Sequence, residues 1–301
     1  MARHSSLPPP REFSTAAESW RITASTARER DVGNVAPGEW FARPEMRQAL
    51  RSLPDVRTVR IEVNGCLAGV ADCLAEATRE FALGWAFMHR FYSAGDHIGS
   101  VTGSSGRVAI MVDSGEDMDH RKLEAVGWTS RDDDSDGTVS SMRPPRTVPF
   151  VSQHDVIALS ERAFARFDVD GRAAGLACAA LARGDDLTVI ARDIEPRGAI
   201  AKILGWMMTE DNEEADSILI VSGLIDEVTV NAARRAGIGV LVTDAEPTSG
   251  AVRRAAAQGT TLLGLVMSHR RSFFADGGHV GDDIEPSSSS TLSNSSTPVE
   301  A

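Results

Sequence analysis

Few residues in this chain combine a reactive type with a suggestive position. The cysteines are Cys66, Cys73 and Cys178. A cysteine acts as its thiolate and needs a neighbour that governs its reactivity. None of the three forms a C-x-x-C or a zinc-ligand spacing, and three cannot build a disulfide framework. Cys66 and Cys73 flank an Asn-Gly turn and the expected start of a helix, which would let them approach each other; a purely structural role is the competing reading. Ser222-Gly223 closes an apolar run, and a glycine there would let a ligand approach backbone N–H groups. Thr248 and Ser249 open a helix, where unpaired N–H groups and the dipole favour an anion, although an ordinary N-cap explains them equally well. His269, Arg270 and Arg271 follow the last strand, as a phosphate site or as a charged rim. The acid run Asp132-Asp133-Asp134-Ser135-Asp136-Gly137 lacks EF-hand spacing and a closing Glu, so it reads as a solvated loop and no metal site is expected.

The elements that must position these residues are clearest between Ser217 and Met267. Ile218 to Val221, Gly237 to Val242 and Thr261 to Val266 are continuous apolar runs, separated by segments of helical length, Ile225 to Ala236 and Ser249 to Gln258. Buried strands alternating with helices imply a mainly parallel sheet with helices packed on it. Ligands of such sheets gather at the carboxyl ends of the strands. Upstream, Val156 to Phe167 and Ala173 to Arg183 read as helices, Leu187 to Ala191 as a strand, and Pro196 to Met208 as a helix with proline at its first position.

The first half reads as a smaller α+β part. Val59, Ile61 and Val63 alternate with polar residues, Asn64-Gly65 signals a hairpin turn, and Leu74 to Phe91 carries apolar residues at helical spacing. Arg107 to Val112 is a further strand. The expected organisation is an extension over 1–54, an α+β part over 55–112, an acidic and Pro-containing linker over 113–150, an α/β domain over 151–275 and a Ser-rich tail over 276–301. The extension and the tail have compositions that cannot offset ordering entropy, so both are expected to be disordered.

The chain has 301 residues, enough for a sizeable core. Its 31 Lys+Arg against 43 Asp+Glu give a net charge of -12, which argues against broad nucleic-acid binding. No run approaches the ~18 apolar residues of a bilayer span and no secretory leader is recognisable, so a cytoplasmic protein is expected, with no membrane partner.

The order of the pieces resembles the FdhD family, accessory sulfurtransferases of formate dehydrogenase. Val63-Asn64-Gly65 and Phe81-Ala82-Leu83-Gly84-Trp85 match its Val-Asn-Gly strand end and Leu-Ala-x-Gly-Phe helix. Ser222-Gly223 stands where the family has Ser-Gly-Arg. Ala245-Glu246-Pro247-Thr248-Ser249 resembles its Ser-Ala-Pro-Thr-Ser, and Thr261-Leu262-Leu263-Gly264-Leu265 its Thr-Leu-Ile-Gly-Phe. The resemblance spans roughly Val59 to Phe274. It implies a cytidine-deaminase-like α/β domain and a molybdenum cofactor held as molybdopterin guanine dinucleotide, for which GDP is a surrogate. A formate dehydrogenase-like molybdoenzyme and a cysteine desulfurase are the implied partners, and a homodimer is compatible with it. Family members pass sulfur as a persulfide from a Cys-Gly-x-Cys-Gly loop.

This sequence departs from the family where that chemistry would sit. About Trp128 to Met142, where the loop belongs, there is no cysteine. Cys178 occupies the place of a family histidine, as a substitute sulfur carrier or as a small buried hydrophobe. Of the family's Glu-Asp-x-Gly-Arg-His-Asn-Ala-x-Asp-Lys signature only Asp193, Ala199 and Lys202 survive, with Gly205 just beyond, and Leu224 replaces an arginine. The implied cofactor face is therefore Asp193, Lys202, Ser222, Gly223, Pro247, Thr248, Ser249 and Arg270. The zinc ligands and general-acid Glu of a nucleoside deaminase are missing. The expectation is an accessory protein with a degenerate active site. A sulfurtransferase using Cys178 or Cys66/Cys73 and an interaction module retaining only the fold are the alternatives.

Overall fold

A computed structural model describes residues 11–12, 54–104, 106–113, 151–170, 175–209, 216–268 and 270–281. The acidic run, His269, most of the N-terminal extension and nearly all of the Ser-rich tail lie outside the described residues.

Four strands of the first half form one sheet in the order β3-β2-β5-β4: β2 (Val56–Val63), β3 (Cys66–Leu74), β4 (His97–Ser104) and β5 (Arg107–Asp113). The alternation read in β2 is real, with Val59, Ile61 and Val63 fully buried. Asn64 (φ 49°) and Gly65 (φ 80°) both take positive φ, which a two-residue hairpin needs to match strand twist. The Asn64 side chain also brackets Val112, accepting its N–H at 2.8 Å and donating to its carbonyl at 3.0 Å. Strand β3 continues through Leu74, so the helix expected from that residue starts later, as α1 (Thr78–Met88).

A seven-stranded sheet runs β1-β8-β7-β9-β10-β11-β12. It comprises β1 (Arg11–Glu12), β7 (Ala177–Arg183), β8 (Asp186–Asp193), β9 (Ser217–Val221), β10 (Val240–Thr243), β11 (Thr261–Gly264) and β12 (Ser272–Ala275). Strands β9, β10 and β11 are parallel, as their continuous apolar runs required. The helix expected over Ala173 to Arg183 is instead β7, antiparallel to both neighbours. Ala179, Ala180, Leu181 and Ala182 are completely buried there, and small side chains suit a strand covered on both faces. Two short strands, β6 (Val151–Ser152) and β13 (Val280–Gly281), pair in parallel.

Helices α3 (Pro196–Thr209), α4 (Glu227–Arg235) and α5 (Ser249–Gln258) share one hydrophobic core with α1 and the four-stranded sheet. Helix α2 (Gln153–Asp170) contributes Val156, Leu159, Phe164 and Phe167 to a second core across the large sheet. The first and second halves are thus joined by a continuous apolar interior. Their closest approach is α1 against α3. A Cβ on Gly84 would stand 1.7 Å from the Ala201 carbonyl oxygen, and one on Gly205 1.8 Å from that of Glu80. Only glycine permits that crossing.

Candidate functional site at the strand ends

Each strand of the β8, β9, β10 series turns into a helix at the same end of the sheet, so α3, α4 and α5 all begin there. Because β7 is antiparallel, its first residues meet the last residues of β8 and β9: Ala177 pairs with Asp193 and Ala179 with Val221. This topology gathers Cys178, Asp193, Ser222, Gly223, Thr248 and Ser249 at one end of the sheet.

Ser222 is bound twice to the start of β7. Its N–H donates to the Cys178 carbonyl at 2.8 Å, and its Oγ accepts the Cys178 N–H at 2.7 Å. Cys178 is completely buried, in the core shared with α2. Gly223 takes φ +99°, a conformation L side chains rarely adopt, and lies against Pro196 at the start of α3. Its N–H donates to Asp244 Oδ1 at 2.7 Å, and its carbonyl accepts from the Thr243 hydroxyl. That hydroxyl also accepts the Ala245 N–H at 3.1 Å. The end of β10 therefore fixes the turn that follows β9.

Two helix caps complete the rim. Thr248 Oγ1 accepts the Ala251 N–H at 3.0 Å, which makes it the N-cap of α5. Asp226 Oδ1 accepts the Thr229 N–H at 2.9 Å and caps α4 while pairing with Arg197 of α3. The Glu227 carboxylate lies against Gly250, in the first turn of α5, and brings negative charge to the end of the helix that favours it. Pro247 is half-buried and Ser249 exposed; Arg270 is exposed and reaches Glu246 at 3.4 Å.

Asp193 and Lys202 lie beneath the surface. Their ion pair measures 2.9 Å and neither side chain is exposed. Lys202 Nζ also donates to the Arg192 carbonyl at 3.0 Å, and Asp193 Oδ1 accepts the Ile194 N–H at 2.7 Å. Burial raises the Asp193 carboxyl above the usual range, against the lowering by Lys202. Both residues support the strand ends from within and cannot touch a ligand as they stand.

The other cysteines are far apart. They sit at opposite ends of the nine-residue β3, Cys66 opposite Val63 and Cys73 opposite Arg57. At ~3.4 Å per residue that is over 20 Å, so they do not form a pair. Burial, and secondarily the Asp193 charge, pushes the Cys73 thiol up to about 12. Among the described residues no group of three or more His, Cys, Asp or Glu is placed to hold a metal ion.

Thr243 and Asp244 follow from the sequence only as the carboxyl end of an apolar run, where a site is to be sought, and Asp226 is not singled out. Asp226 was legible as an acidic N-cap before a helical run. The contact of Asp244 with Gly223 spans 21 residues and leaves no local signal.

Comparison with known proteins agrees with this architecture. The chain is 25% identical over 223 residues to the sulfur carrier protein FdhD of Methanothermobacter thermautotrophicus, covering 72% of this chain and 86% of that one. It is 28% identical over 116 residues to the protein of the same name from Geobacillus kaustophilus, 38% of this chain and 44% of that one. A solved structure described as a formate dehydrogenase accessory protein, from Desulfotalea psychrophila, shares the fold with a TM-score of 0.58 at 17% identity, over 74% of this chain and 88% of that chain. The sequence model of the FdhD/NarQ family matches residues 56–280. That span takes in the four-stranded sheet, every strand of the seven-stranded sheet but β1 and the whole strand-end rim, and the chain belongs to the FdhD/NarQ family.

Proposed function

We propose that this chain is an accessory protein in the maturation of a formate dehydrogenase-like molybdoenzyme. In this reading it binds a molybdopterin guanine dinucleotide-type cofactor at the strand ends without handing over sulfur as a persulfide. The observation that carries it is the assembly of Ser222, Gly223, Asp244, Thr248 and the start of α5 on one rim, at the end where open α/β sheets take their ligands. The residues fit such a group unevenly. Gly223 already gives its N–H to Asp244, and Glu227 already neutralises the start of α5. Lys202 is enclosed. The phosphates would therefore be met by the exposed side chains of Arg270 and Arg271, and a heterocycle by the Ser222–Gly223 turn. Bound there, the group would supply the molybdenum chemistry of the client enzyme; the chain's part is to hold and orient it.

The relatives named sulfur carriers raise the alternative of transfer through a non-standard cysteine. Cys73 and Cys178 have no exposed surface, and a thiol held at about 12 offers almost no thiolate at neutral pH. Only the half-buried Cys66 remains accessible. A cysteine desulfurase is a partner under that alternative alone. The cytidine-deaminase-like description of the α/β half, a cytoplasmic location and a homodimer belong to the same family-based reading; no helix among the described residues is long and apolar enough to cross a membrane.

The test is calorimetric titration of the protein with GDP. Saturable binding, weakened by Arg270→Ala, supports the reading. No heat at millimolar GDP overturns it and leaves the fold as an interaction module.

A further inference from the structure

Asn64-Gly65 is the only Asn-Gly pair in the chain, and the cofactor reading makes no use of it. A following glycine leaves an asparagine open to attack by its own backbone, because no side chain shields the next peptide nitrogen. Gly65 stands exposed at φ 80°, and a Cβ built on it would meet nothing within 4 Å. The nucleophile is therefore in water, but the amide it would attack is held. Asn64 Oδ1 accepts the Val112 N–H at 2.8 Å and Nδ2 donates to the Val112 carbonyl at 3.0 Å, while the Asn64 N–H donates to the Ile110 carbonyl at 2.9 Å. The pairing of β2 with β5 ends at Val63 opposite Ile110, so the asparagine side chain supplies the next rung of that ladder.

We infer that Asn64 is a covalent modification site, deamidated through the Gly65 nitrogen when the hairpin opens and kept from that reaction by Val112 in the folded chain. The Gly65 peptide nitrogen gives its proton to water and bonds to Asn64 Cγ. The Cγ–Nδ2 bond then breaks and ammonia leaves, closing a five-membered succinimide. Water opens that ring at either carbonyl, giving aspartate or isoaspartate. One water is consumed and one ammonia released, with no oxidation or reduction. Ring closure makes the planar Cγ tetrahedral and then removes its nitrogen, so neither bond to Val112 survives it. The product does not fit the rung it leaves. An aspartate still accepts the Val112 N–H but has no hydrogen for the Val112 carbonyl, so two acceptors face each other in a half-buried place. Isoaspartate also adds a backbone carbon to a two-residue turn whose geometry depends on its length. A chain that has opened is thus marked by a change that loosens β2 from β5 on refolding. The inference is independent of the cofactor reading.

The experiment incubates the full chain in mildly alkaline buffer, native and unfolded in guanidinium chloride, and follows the Asn64 peptide by mass spectrometry. Isoaspartyl methyltransferase labelling measures the isoaspartate form, and Asn231, which precedes alanine, is the internal control. Conversion at Asn64 is expected to be about tenfold or more faster in the unfolded chain than in the native one, the factor set by giving up two hydrogen bonds of ordinary strength. In the unfolded chain it should also outrun Asn231. Equal rates in the two conditions overturn the protection by Val112. No conversion of the unfolded chain overturns the site itself. Thermal unfolding of Asn64→Asp, which reproduces the product, is expected at least about 2 °C below the native chain, and an unchanged melting temperature overturns the loosening of β2 from β5. Chains aged in guanidinium chloride and refolded give the same comparison on the modified protein itself, which decides the point where the variant fails to fold.

Discussion

Leu74 donates its backbone N–H to Asp193 Oδ1 across 3.3 Å, tying the last residue of β3 to the last residue of β8. The two sheets thus meet at a carboxylate that is itself neutralised by Lys202, with both charged groups out of water. Removing one partner of such a pair leaves an uncompensated buried charge, at a cost of about 3–5 kcal/mol. Lys202→Met is expected to destabilise the protein by about that much, and adding Asp193→Asn should recover a large part of it. Urea unfolding of the single and double variants measures both effects. A Lys202→Met loss below about 1 kcal/mol would show that the pair is not sealed.

Gly84 and Gly205 make the other junction. With a Cβ at either position landing less than 2 Å from a carbonyl oxygen of the opposite helix, α1 and α3 must separate. Overpacking of this kind costs 1–3 kcal/mol or more, and backbone cannot rotate aside as a side chain can. Gly84→Ala and Gly205→Ala are each expected to lower stability by about 3 kcal/mol. Thermal unfolding of each variant checks this, since a surface Gly→Ala change would instead be neutral or stabilising.

How far the fold was legible follows from residues such as these. Ile218 to Val221 and Ser249 to Gln258 announced themselves because burial on both faces and a Thr-Ser helix start leave local patterns. Ala173 to Arg183 misled because alanine favours helix, whereas the position between β8 and β9 demands a strand, and tertiary context overrides a weak propensity. Strand β3 was missed because its pattern is broken: Gly69 leaves room for the Trp85 ring, and a bulge shifts the register at Ile61 and Glu62. At the site, Ser222, Gly223 and Thr248 stood out as strand-end and helix-start residues. Asp244 showed only as part of a strand end, because its bond to Gly223 spans 21 residues and leaves no local pattern.

His89 should make stability depend on pH. Burial, then the nearby Arg197 and Arg235 charges, lowers its pKa to about 4, from an ordinary value near 6.5. The unfolded chain therefore binds more protons than the folded one between these values, and stability rises with pH across that window. Equivalently, it is lost as the pH falls from about 6.5 to about 4. His89→Gln should flatten this part of the profile, read from urea midpoints at a series of pH values. An identical slope in the variant would assign the dependence to other groups.

The cysteines should differ sharply in reactivity. Cys66 is half-buried, while Cys73 and Cys178 are enclosed and the Cys73 thiol lies at about 12. Under native conditions at pH 8, iodoacetamide should modify Cys66 first, with Cys73 and Cys178 reacting only on unfolding. Peptide mass spectrometry over time gives the order. Rapid native labelling of Cys178 would reopen its candidacy as a sulfur carrier.

The central claim is that the strand ends of the large sheet form the ligand site, and amide hydrogen exchange with and without GDP tests it most directly. The account predicts ligand-dependent protection in peptides covering Ser222 to Leu224 and Thr243 to Gly250, with little change in the four-stranded sheet. Saturating GDP that leaves those peptides unchanged, or protects only β2 to β5, would contradict it.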